Sequence, residues 1–371
     1  MPSTQIREQI VAPARRIVVK VGTNAICDER GRLDRRSVTN LARQIAELMR
    51  QGRRVTLVSS GAVGAGLGEL DAPARPKTVP ELQAVAAVGQ GQLMRTFHDV
   101  FARHGVHVAQ VLLTRDDFED RTRYLNIRNA LAALGACGAL PIINENDVVA
   151  VDELRYGDND LIAAHVANMT AADVLVLLTV VDGVYRGEEV LDVIDRVDEG
   201  TLSLADGRTS RLGSGGMASK ISAAALVTRA GEAAVIANAR TPRVLLRLLA
   251  GEKLGTVIVP ARRRVSSRRR WIGQASRPAG RIVVDAGAVR ALTEGGKSLL
   301  PSGIVAVSGR FGKGATVAVV DAGGREIARG LTNYSAEQVE RIRGRKTGEI
   351  EAVLGDKPYD EVVHRDNMML K

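Results

Sequence analysis

Apolar runs rich in valine and isoleucine recur along the first two thirds of the chain, separated by longer stretches of mixed polarity. The runs occupy residues 17–21, 55–58, 106–113, 140–143, 174–181, 233–237 and 256–259. Continuous apolar runs of this length are typical of parallel strands that are buried on both faces of a sheet. The pattern therefore predicts a buried, mainly parallel sheet.

The clearest helical pattern lies between the first two runs. Its apolar side chains recur every three or four residues, at Val38, Leu41, Ile45 and Leu48. Asp34 or Ser37 is placed to cap the start of this helix, and Gly52 is placed to end it. Strand, helix and strand in succession imply right-handed crossovers. The predicted fold class is α/β, with an open, doubly wound sheet.

Lys20 lies inside the first apolar run, in the stretch VVKVG at residues 18–22. An unpaired ammonium group is among the costliest groups to bury. A lysine in a core strand therefore requires an anion, and we interpret Lys20 as a phosphate-binding residue.

Small and polar residues follow the predicted strands. The segments that begin there are KVGTN at 20, SSGAVGAG at 59, TRDD at 114, NEND at 144 and NA at 238. Each such loop alone fits an ordinary turn, but open α/β sheets bind ligands outside the carboxyl ends of their strands. Five of them together predict one ligand site, where glycines let backbone amides approach an anion.

A glycine-rich loop, GSGGMASK at residues 213–220, precedes another helical pattern. Amides at the helix start would face a phosphate, and Lys220 would add a charge near the same oxygens. Because phosphoryl transfer needs cations around the transferred group, two lysines and Mg²⁺ would suffice for it. Neither a dinucleotide fingerprint at 59–68 nor a complete Walker A loop at 291–298 is present. We interpret residues 295–298 as a turn.

Residues 144–160, NENDVVAVDELRYGDND, concentrate carboxylates and amides between a strand and a helix. Asp158 or Asn159 is placed to cap that helix, but capping does not require the other polar groups, which are Asp147, Asp160, Asn144 and Asn146. A carboxylate here would suit a substrate ammonium group or would orient the lysines. The spacing of a calcium-binding loop is absent. Direct ligands of Mg²⁺ are not assigned, because water and substrate phosphates largely hold this ion.

Composition narrows the class of protein further. The net charge of +10 permits an anionic partner, either a nucleic acid or a phosphorylated substrate. Aromatic residues make up only 3% of the chain, which argues against an extended base-stacking platform. Cys27 and Cys137 could form at most one disulfide and lack metal-ligand spacing. Without a signal core or an apolar run of ~20 residues, we expect a cytoplasmic protein with no membrane partner.

Taken together, the motifs resemble the amino acid kinase family over nearly the whole chain. The matching segments are VVKVGTN at 18–24, SSGAVGAG at 59–66, LLTRDDFEDRTRYLN at 112–126, INENDVV at 143–149, GDND at 157–160 and GSGGMASK at 213–220. They are most similar to members that use ATP to phosphorylate the γ-carboxylate of L-glutamate, the first step of proline biosynthesis. The resemblance implies L-glutamate and ATP as substrates and direct transfer to an acyl phosphate.

Site residues follow from the same resemblance. Lys20 and Lys220 match the phosphate-binding lysines, and Asp158 and Asp160 match acids that organise the catalytic site. The residues implied to hold glutamate are Ser60, Asp147, Asn159 and Asn144. The residues implied to hold ATP are Lys20, Thr179, Val180, Ser214, Gly215, Gly216, Met217, Ala218, Ser219 and Lys220.

Two positions depart from the family pattern. Val180 stands where relatives usually carry an aspartate in the nucleotide site, and Ala163 replaces a serine often found after the GDND motif. Neither change touches the lysines or the acids. We therefore expect activity to persist with altered nucleotide affinity.

The chain changes character after residue 260. We predict an N-terminal extension at 1–14, a kinase domain at 15–260, a basic linker at 261–275 and a small mixed β domain at 276–371. Short strand patterns at 282–285, 304–308 and 316–320 and a hairpin turn at 321–324 resemble the PUA domain, which binds RNA in other proteins. The linker arginines could contact phosphates, although runs of like charge are usually solvated.

Alternatives stay open at this point. The main one is an RNA-binding protein whose α/β half is a remnant, in which Arg262, Arg263 and Arg264 would carry a salt-sensitive complex. Within the kinase class, aspartate and N-acetylglutamate are rival acceptors. The resemblance also implies a homo-oligomer and feedback inhibition by proline.

Overall fold

The computed structural model describes residues 3–28, 31–72, 74–150, 159–204, 216–261, 271–272 and 277–371. The chain divides into two compact units, the first formed by residues 1–117 and 122–264 and the second by residues 118–121 and 265–371. Among the described residues, no helix combines the length and the apolar character needed to cross a membrane.

All seven predicted apolar runs form strands. The strands up to residue 261 are β1 (Arg16–Val21), β2 (Arg54–Ser59), β3 (Val108–Leu113), β4 (Leu140–Glu145), β5 (Val174–Thr179), β6 (Tyr185–Arg186), β7 (Glu189–Val190), β8 (Val193–Ile194), β9 (Ala233–Asn238) and β10 (Thr256–Ile258). β6 and β7 form a small hairpin, and the other eight form one sheet in the order β3-β4-β2-β1-β5-β9-β10-β8. Neighbours from β3 to β9 pair in parallel, which confirms the predicted fold class.

The helices up to residue 261 are α1 (Ser3–Ile6), α2 (Thr23–Ile26), α3 (Arg35–Arg50), α4 (Ala62–Glu69), α5 (Val79–Ala102), α6 (Arg115–Glu119), α7 (Arg121–Ala136), α8 (Asn159–Thr170), α9 (Glu199–Ser203), α10 (Met217–Arg229) and α11 (Val244–Leu248). The predicted helix is α3. The Asp34 carboxylate accepts hydrogen bonds from the backbone N–H groups of Arg36 and Ser37, so Asp34 is its N-cap. Gly52 follows the last turn with a φ of +78°, a conformation that favours glycine.

Two strands differ from the expected buried parallel strands. β10 pairs antiparallel with β9, with Thr256 opposite Ile236. The five-residue helix α11 between them rises only about 7.5 Å, less than the length of the six-residue strand β9. β3 lies at the edge of the sheet and is only partly buried, with Leu112 36% exposed. Both strands lie away from the centre of the sheet.

A close crossing of α4 and α5 depends on glycine. A Cβ atom on Gly89 of α5 would lie 1.8 Å from the carbonyl oxygen of Ala62 and 2.3 Å from the backbone nitrogen of Gly66 in α4. No side chain fits at that distance. The crossing therefore fixes the position of α4, which begins two residues after Ser60.

Gly89→Ala is expected to lower the free energy of unfolding by about 1–3 kcal/mol, because the new methyl group forces the two backbones apart. Gly91→Ala is the matched control, since a Cβ there meets nothing within 4 Å. That change should stabilise the protein by about 0.5–1 kcal/mol through better helix propensity. Urea denaturation of both variants checks the prediction, and equal shifts of the same sign would contradict it.

The N-terminal segment is fixed to the sheet by Arg7, which is 1% exposed. Its guanidinium pairs with Asp192 at 2.6 Å and donates to the carbonyl oxygens of Leu254 at 2.6 Å and Gly255 at 2.8 Å. Both terminal nitrogens of this buried guanidinium are satisfied in this way, whereas its Nε has no hydrogen-bond partner among the described residues. These contacts join the start of the chain to the loop before β10.

The second unit contains a mixed five-stranded sheet, as expected for a small mixed β domain. Its strands are β11 (Gly280–Val284), β12 (Ile304–Gly309), β13 (Thr316–Val320), β14 (Glu326–Thr332) and β15 (Val363–Leu370), in the order β12-β11-β13-β14-β15. β11 and β13 are parallel, and the other pairs are antiparallel. The predicted hairpin turn joins β13 and β14, where the Asp321 carboxylate accepts from the N–H groups of Gly323 and Arg325.

Among the described residues of this unit, the α-helices are α12 (Ala286–Thr293), α13 (Ala336–Ile342) and α14 (Ile350–Leu354), and short 3-10 helices occur at Pro301–Gly303 and Thr347–Glu349. Residues 295–298 follow α12 and lie outside any helix, in agreement with their interpretation as a turn. The unit has its own apolar core, which includes Ile282, Val317, Tyr334 and Val339.

Candidate active site

The carboxyl ends of the parallel strands β1, β2, β4, β5 and β9 meet at one edge of the large sheet. Lys20 is the penultimate residue of β1, Ser60 follows β2, and Asn144 is near the end of β4. α8 begins at Asn159 and α10 at Met217, and these two helices pack against each other. The sheet therefore collects at one edge side chains that are far apart along the chain.

Asp160 lies between two buried lysines. The Lys20 Nζ is 2.6 Å from Asp160 Oδ1, and the Lys220 Nζ is 3.0 Å from Asp160 Oδ2. Ser219 Oγ donates to Asp160 Oδ2 at 3.0 Å. The exposures of Lys20, Asp160 and Lys220 are 5%, 0% and 6%. One carboxylate thus holds both ammonium groups, and this arrangement explains how a core strand tolerates Lys20.

Asp160 is ionised in this cluster. Burial acts to raise the pKa of Asp160, but the charges and hydrogen bonds of Lys20 and Lys220 outweigh burial and lower that pKa from 3.8 to about 2. Asp160 therefore carries its charge at neutral pH. Its single carboxylate is shared between two ammonium groups, and the positive charge of those groups suits the approach of an anion.

The N-terminus of α10 adds to this positive potential. Gly216 is its N-cap with extended backbone, and Met217, Ala218 and Ser219 form the first turn before Lys220. The N–H groups of a first helical turn have no partner within the helix and carry a partial positive charge. A phosphate beside Lys220 could therefore accept from these amides as well.

An amide cluster lies beside the lysines. Asn159 Nδ2 donates to Ser60 Oγ at 3.0 Å and to Asn144 Oδ1 at 3.1 Å. Asn144 Nδ2 donates in turn to Gln90 Oε1 at 2.8 Å. Asn159 Oδ1 is buried and has no hydrogen-bond partner among the described residues. This oxygen is an acceptor suited to a polar ligand.

Gln90 was not predicted from the sequence. It lies inside α5, and its neighbours in the chain are Gly89 and Gly91. A polar side chain beside a glycine that is required for close helix packing is the signal that could have identified it. Sequence motifs at the strand ends gave the other members of the amide cluster.

The segments after β5 and β9 are joined to each other. The backbone N–H of Ala239 donates to the carbonyl oxygen of Thr179 at 2.7 Å, and Asn238 Nδ2 donates to Asp182 Oδ1 at 2.8 Å. Thr179 and Val180 are both half-buried. They thus occupy a fixed position at the same edge of the sheet as Lys20.

The remaining predicted residues lie in the turn after β4 or outside the described residues. Asp147 is half-buried in the turn that follows β4. Asp158, Ser214 and Gly215 fall outside the described residues, as do the linker residues Arg262, Arg263 and Arg264. In the part of the chain that the structure describes, no three histidine, cysteine or acidic side chains form a metal site.

Comparisons with known proteins agree with this picture. Residues 15–238 match the amino acid kinase family, and residues 280–354 match the PUA domain. A glutamate 5-kinase of Caldanaerobacter subterraneus subsp. tengcongensis is 48% identical over 362 residues, covering 96% of this chain and 97% of that protein. A glutamate 5-kinase of Moorella thermoacetica is 47% identical, covering 97% of each chain. UMP kinase from Bacillus anthracis aligns at 14% identity over 66% of this chain and 96% of that chain, with a TM-score of 0.44, too distant to bear on the site.

Proposed function

Because the chain belongs to the amino acid kinase family, we propose that it transfers a phosphoryl group from ATP to the γ-carboxylate of L-glutamate, giving L-glutamyl 5-phosphate. This is the first step of proline biosynthesis. The observation that carries the proposal is the pair of buried lysines held by Asp160, in a chain that is 44–48% identical to glutamate 5-kinases over nearly its whole length. The alternative of an RNA-binding protein with a remnant α/β half explains neither the buried lysine pair nor the identity to glutamate 5-kinases.

Catalysis is proposed to depend on positioned charge. The transferred phosphoryl group passes through a loose transition state with charge on its equatorial oxygens, so direct in-line transfer needs cations more than a nucleophilic side chain. Lys20 and Lys220 would supply those cations, and Asp160 would hold their ammonium groups at fixed positions before ATP binds. Asp158 is proposed as a second organising acid.

Substrate binding is divided between two groups of residues. We propose that Ser60, Asn144 and Asn159 bind glutamate, with the Asp147 carboxylate pairing with its ammonium group. ATP would lie against Lys20, Thr179, Val180 and the segment 214–220. The amides at the start of α10 support the second assignment, because they suit phosphate oxygens.

A kinase that uses ATP takes its nucleotide with a divalent metal, and we propose Mg²⁺. The described residues do not build a protein cage for this ion, because Asp160 is already shared between two ammonium groups. Oxygen ligands from phosphates and water suit Mg²⁺. The metal would supply charge neutralisation on the β- and γ-phosphates, while the chain supplies the lysines.

The test is formation of a hydroxamate from L-glutamate with ATP, Mg²⁺ and hydroxylamine, with aspartate and N-acetylglutamate in parallel. A signal confined to glutamate would support both the acyl phosphate and the acceptor. A signal with another acceptor would reassign the substrate. No signal from folded protein with any of the three would overturn the proposal.

Gln90→Ala is expected to raise the KM for glutamate about fivefold to tenfold with little change in kcat, since it removes one hydrogen bond that orients Asn144. Steady-state kinetics measure this. In an Asn144→Ala background the same change should have little further effect, because the two residues act through one contact. Additive effects in the double variant would contradict that role.

Further properties are proposed from the family relation. They are a homo-oligomeric state, feedback inhibition by proline, RNA binding by the PUA domain and a cytoplasmic location. The free thiols of Cys27 and Cys137 support a reducing compartment. The proposal of feedback inhibition would be contradicted if millimolar proline left the rate of glutamate phosphorylation unchanged.

A further inference from the structure

A row of arginines runs along the outer side of α3. Arg36, Arg43 and Arg50 are seven residues apart, which is close to two helical turns, so they share one side of the helix. All three are exposed. The row is about 21 Å long at 1.5 Å per residue. None of these arginines belongs to the cluster formed by Lys20, Asp160 and Lys220.

Three adjoining cavities lie along this row. Cavities of about 480 and 320 Å³ share Arg36, and the first of them shares Arg43 with a larger one of about 780 Å³. The arginines lining them are Arg35, Arg36, Arg43, Arg50, Arg53, Arg103, Arg240 and Arg243. Glu47 is the one carboxylate among the described lining residues. We call the eight lining arginines the arginine face.

Most of this charge is not compensated. Arg50 pairs with Glu47 and Arg35 pairs with Asp99, while Arg43 donates to the Asn40 side chain. Arg103, Arg240 and Arg243 have no ion-pair partner among the described residues. Arg243 also has a left-handed backbone, with a φ of +55°, which is unfavourable for a residue with a Cβ. Unpaired like charges and backbone strain both lower the stability of the folded protein, so these arginines do not contribute to folding.

The chemistry of the arginine face identifies its ligand. Guanidinium groups match phosphate oxygens in a two-pronged geometry. No large apolar side chain is exposed on α3 or α11, although such side chains anchor most protein partners. No Phe, Tyr or Trp side chain lines the cavities, so they offer no extended platform for stacking bases. We propose that the arginine face binds the phosphate backbone of a nucleic acid without reading its sequence.

The length of the row agrees with this ligand. Phosphates of one strand rise about 3.4 Å apart along a duplex axis, so a row of about 21 Å spans about six of them. A protein that contacts about six phosphates loses about 10³-fold in affinity between 50 and 200 mM salt. The arginine face should show a salt dependence of this size.

The experiment uses the full chain and a fluorescein-labelled 20-base-pair DNA duplex of arbitrary sequence, read by fluorescence anisotropy. We expect binding at 50 mM salt, with Arg36→Gln, Arg43→Gln and Arg50→Gln together weakening it at least tenfold. The slope of log K against log salt should fall by about 3. Circular dichroism and glutamate kinase activity verify that the triple variant is folded.

A matched control separates the arginine face from the PUA domain. Arg281, Arg290 and Arg310 are exposed arginines of the second unit, and their joint change to Gln should leave binding within about twofold. Loss of binding in this control but not in the α3 variant would overturn the assignment. So would absence of binding at 50 mM salt, or competition by poly-L-glutamate as effective as that by unlabelled duplex, which would indicate an acidic protein instead.

Discussion

A Lys20→Met variant is expected to fold normally and to lose about 10³-fold in kcat. The methionine keeps the length of the side chain but removes the ammonium group 2.6 Å from Asp160 Oδ1. Because this charge would act on phosphate oxygens that gain charge in the transition state, its loss should lower kcat and kcat/KM together, with a small effect on the KM for glutamate.

Lys253→Met is the control for this variant. Its side chain is 71% exposed, and its ammonium group pairs with Asp192, away from the strand ends. Its kcat should stay within about twofold of the unmodified protein. The rate of hydroxamate formation and a thermal melt of both variants test this prediction. Full turnover by a folded Lys20→Met protein would show that Lys20 has no catalytic role.

Asp160→Asn is expected to lower the free energy of unfolding by about 3–5 kcal/mol and to abolish turnover. The neutral amide removes the carboxylate charge that Asp160 gives to both Lys20 and Lys220, and breaking a buried ion pair is costly. Asp71→Asn makes the same chemical change at a carboxylate that is 86% exposed. That control should change stability by less than about 0.5 kcal/mol.

The pH dependence of unfolding gives a second readout. The pKa of Asp160 is about 2 in the folded protein, below its ordinary value of 3.8. Between these values the unfolded chain binds the proton more readily, so stability from Asp160 is complete above pH 4 and is lost as pH falls toward 2. The stability difference between the unmodified protein and Asp160→Asn, from urea denaturation at pH 6, 4 and 3, should therefore shrink on acidification. A stability difference that stays the same at all three pH values would contradict the ion pairs of Asp160 with the two lysines.

Buried strands and strand-end motifs were predictable because each depends on local sequence. A valine-rich run must be buried, and a lysine within it must find an anion. The sequence alone did not show that Asp160 is the group shared by Lys20 and Lys220, since these residues come from three elements that only the sheet brings together. Gln90 was missed for the same reason, because its partner Asn144 is 54 positions away.

The direction of β10 shows another limit. An apolar run has the same pattern in parallel and antiparallel strands, so periodicity cannot decide the direction of a three-residue strand. The pairing of β10 with β9 in the folded sheet shows its direction. Sequence motifs likewise did not reveal the close crossing at Gly89, because the distance between two helix backbones is a property of the packed pair.

The buried contact of Arg7 also affects the order of events during synthesis. Its acceptor Gly255 lies 248 positions later in the chain. At about 5–20 residues per second, a ribosome needs about 12–50 s to make that stretch. Throughout this interval the guanidinium has no partner from the loop before β10, and the segment that carries it is a free chain end. A nascent chain that stops before residue 255 should therefore present this segment to proteases and chaperones, whereas a complete first unit conceals it.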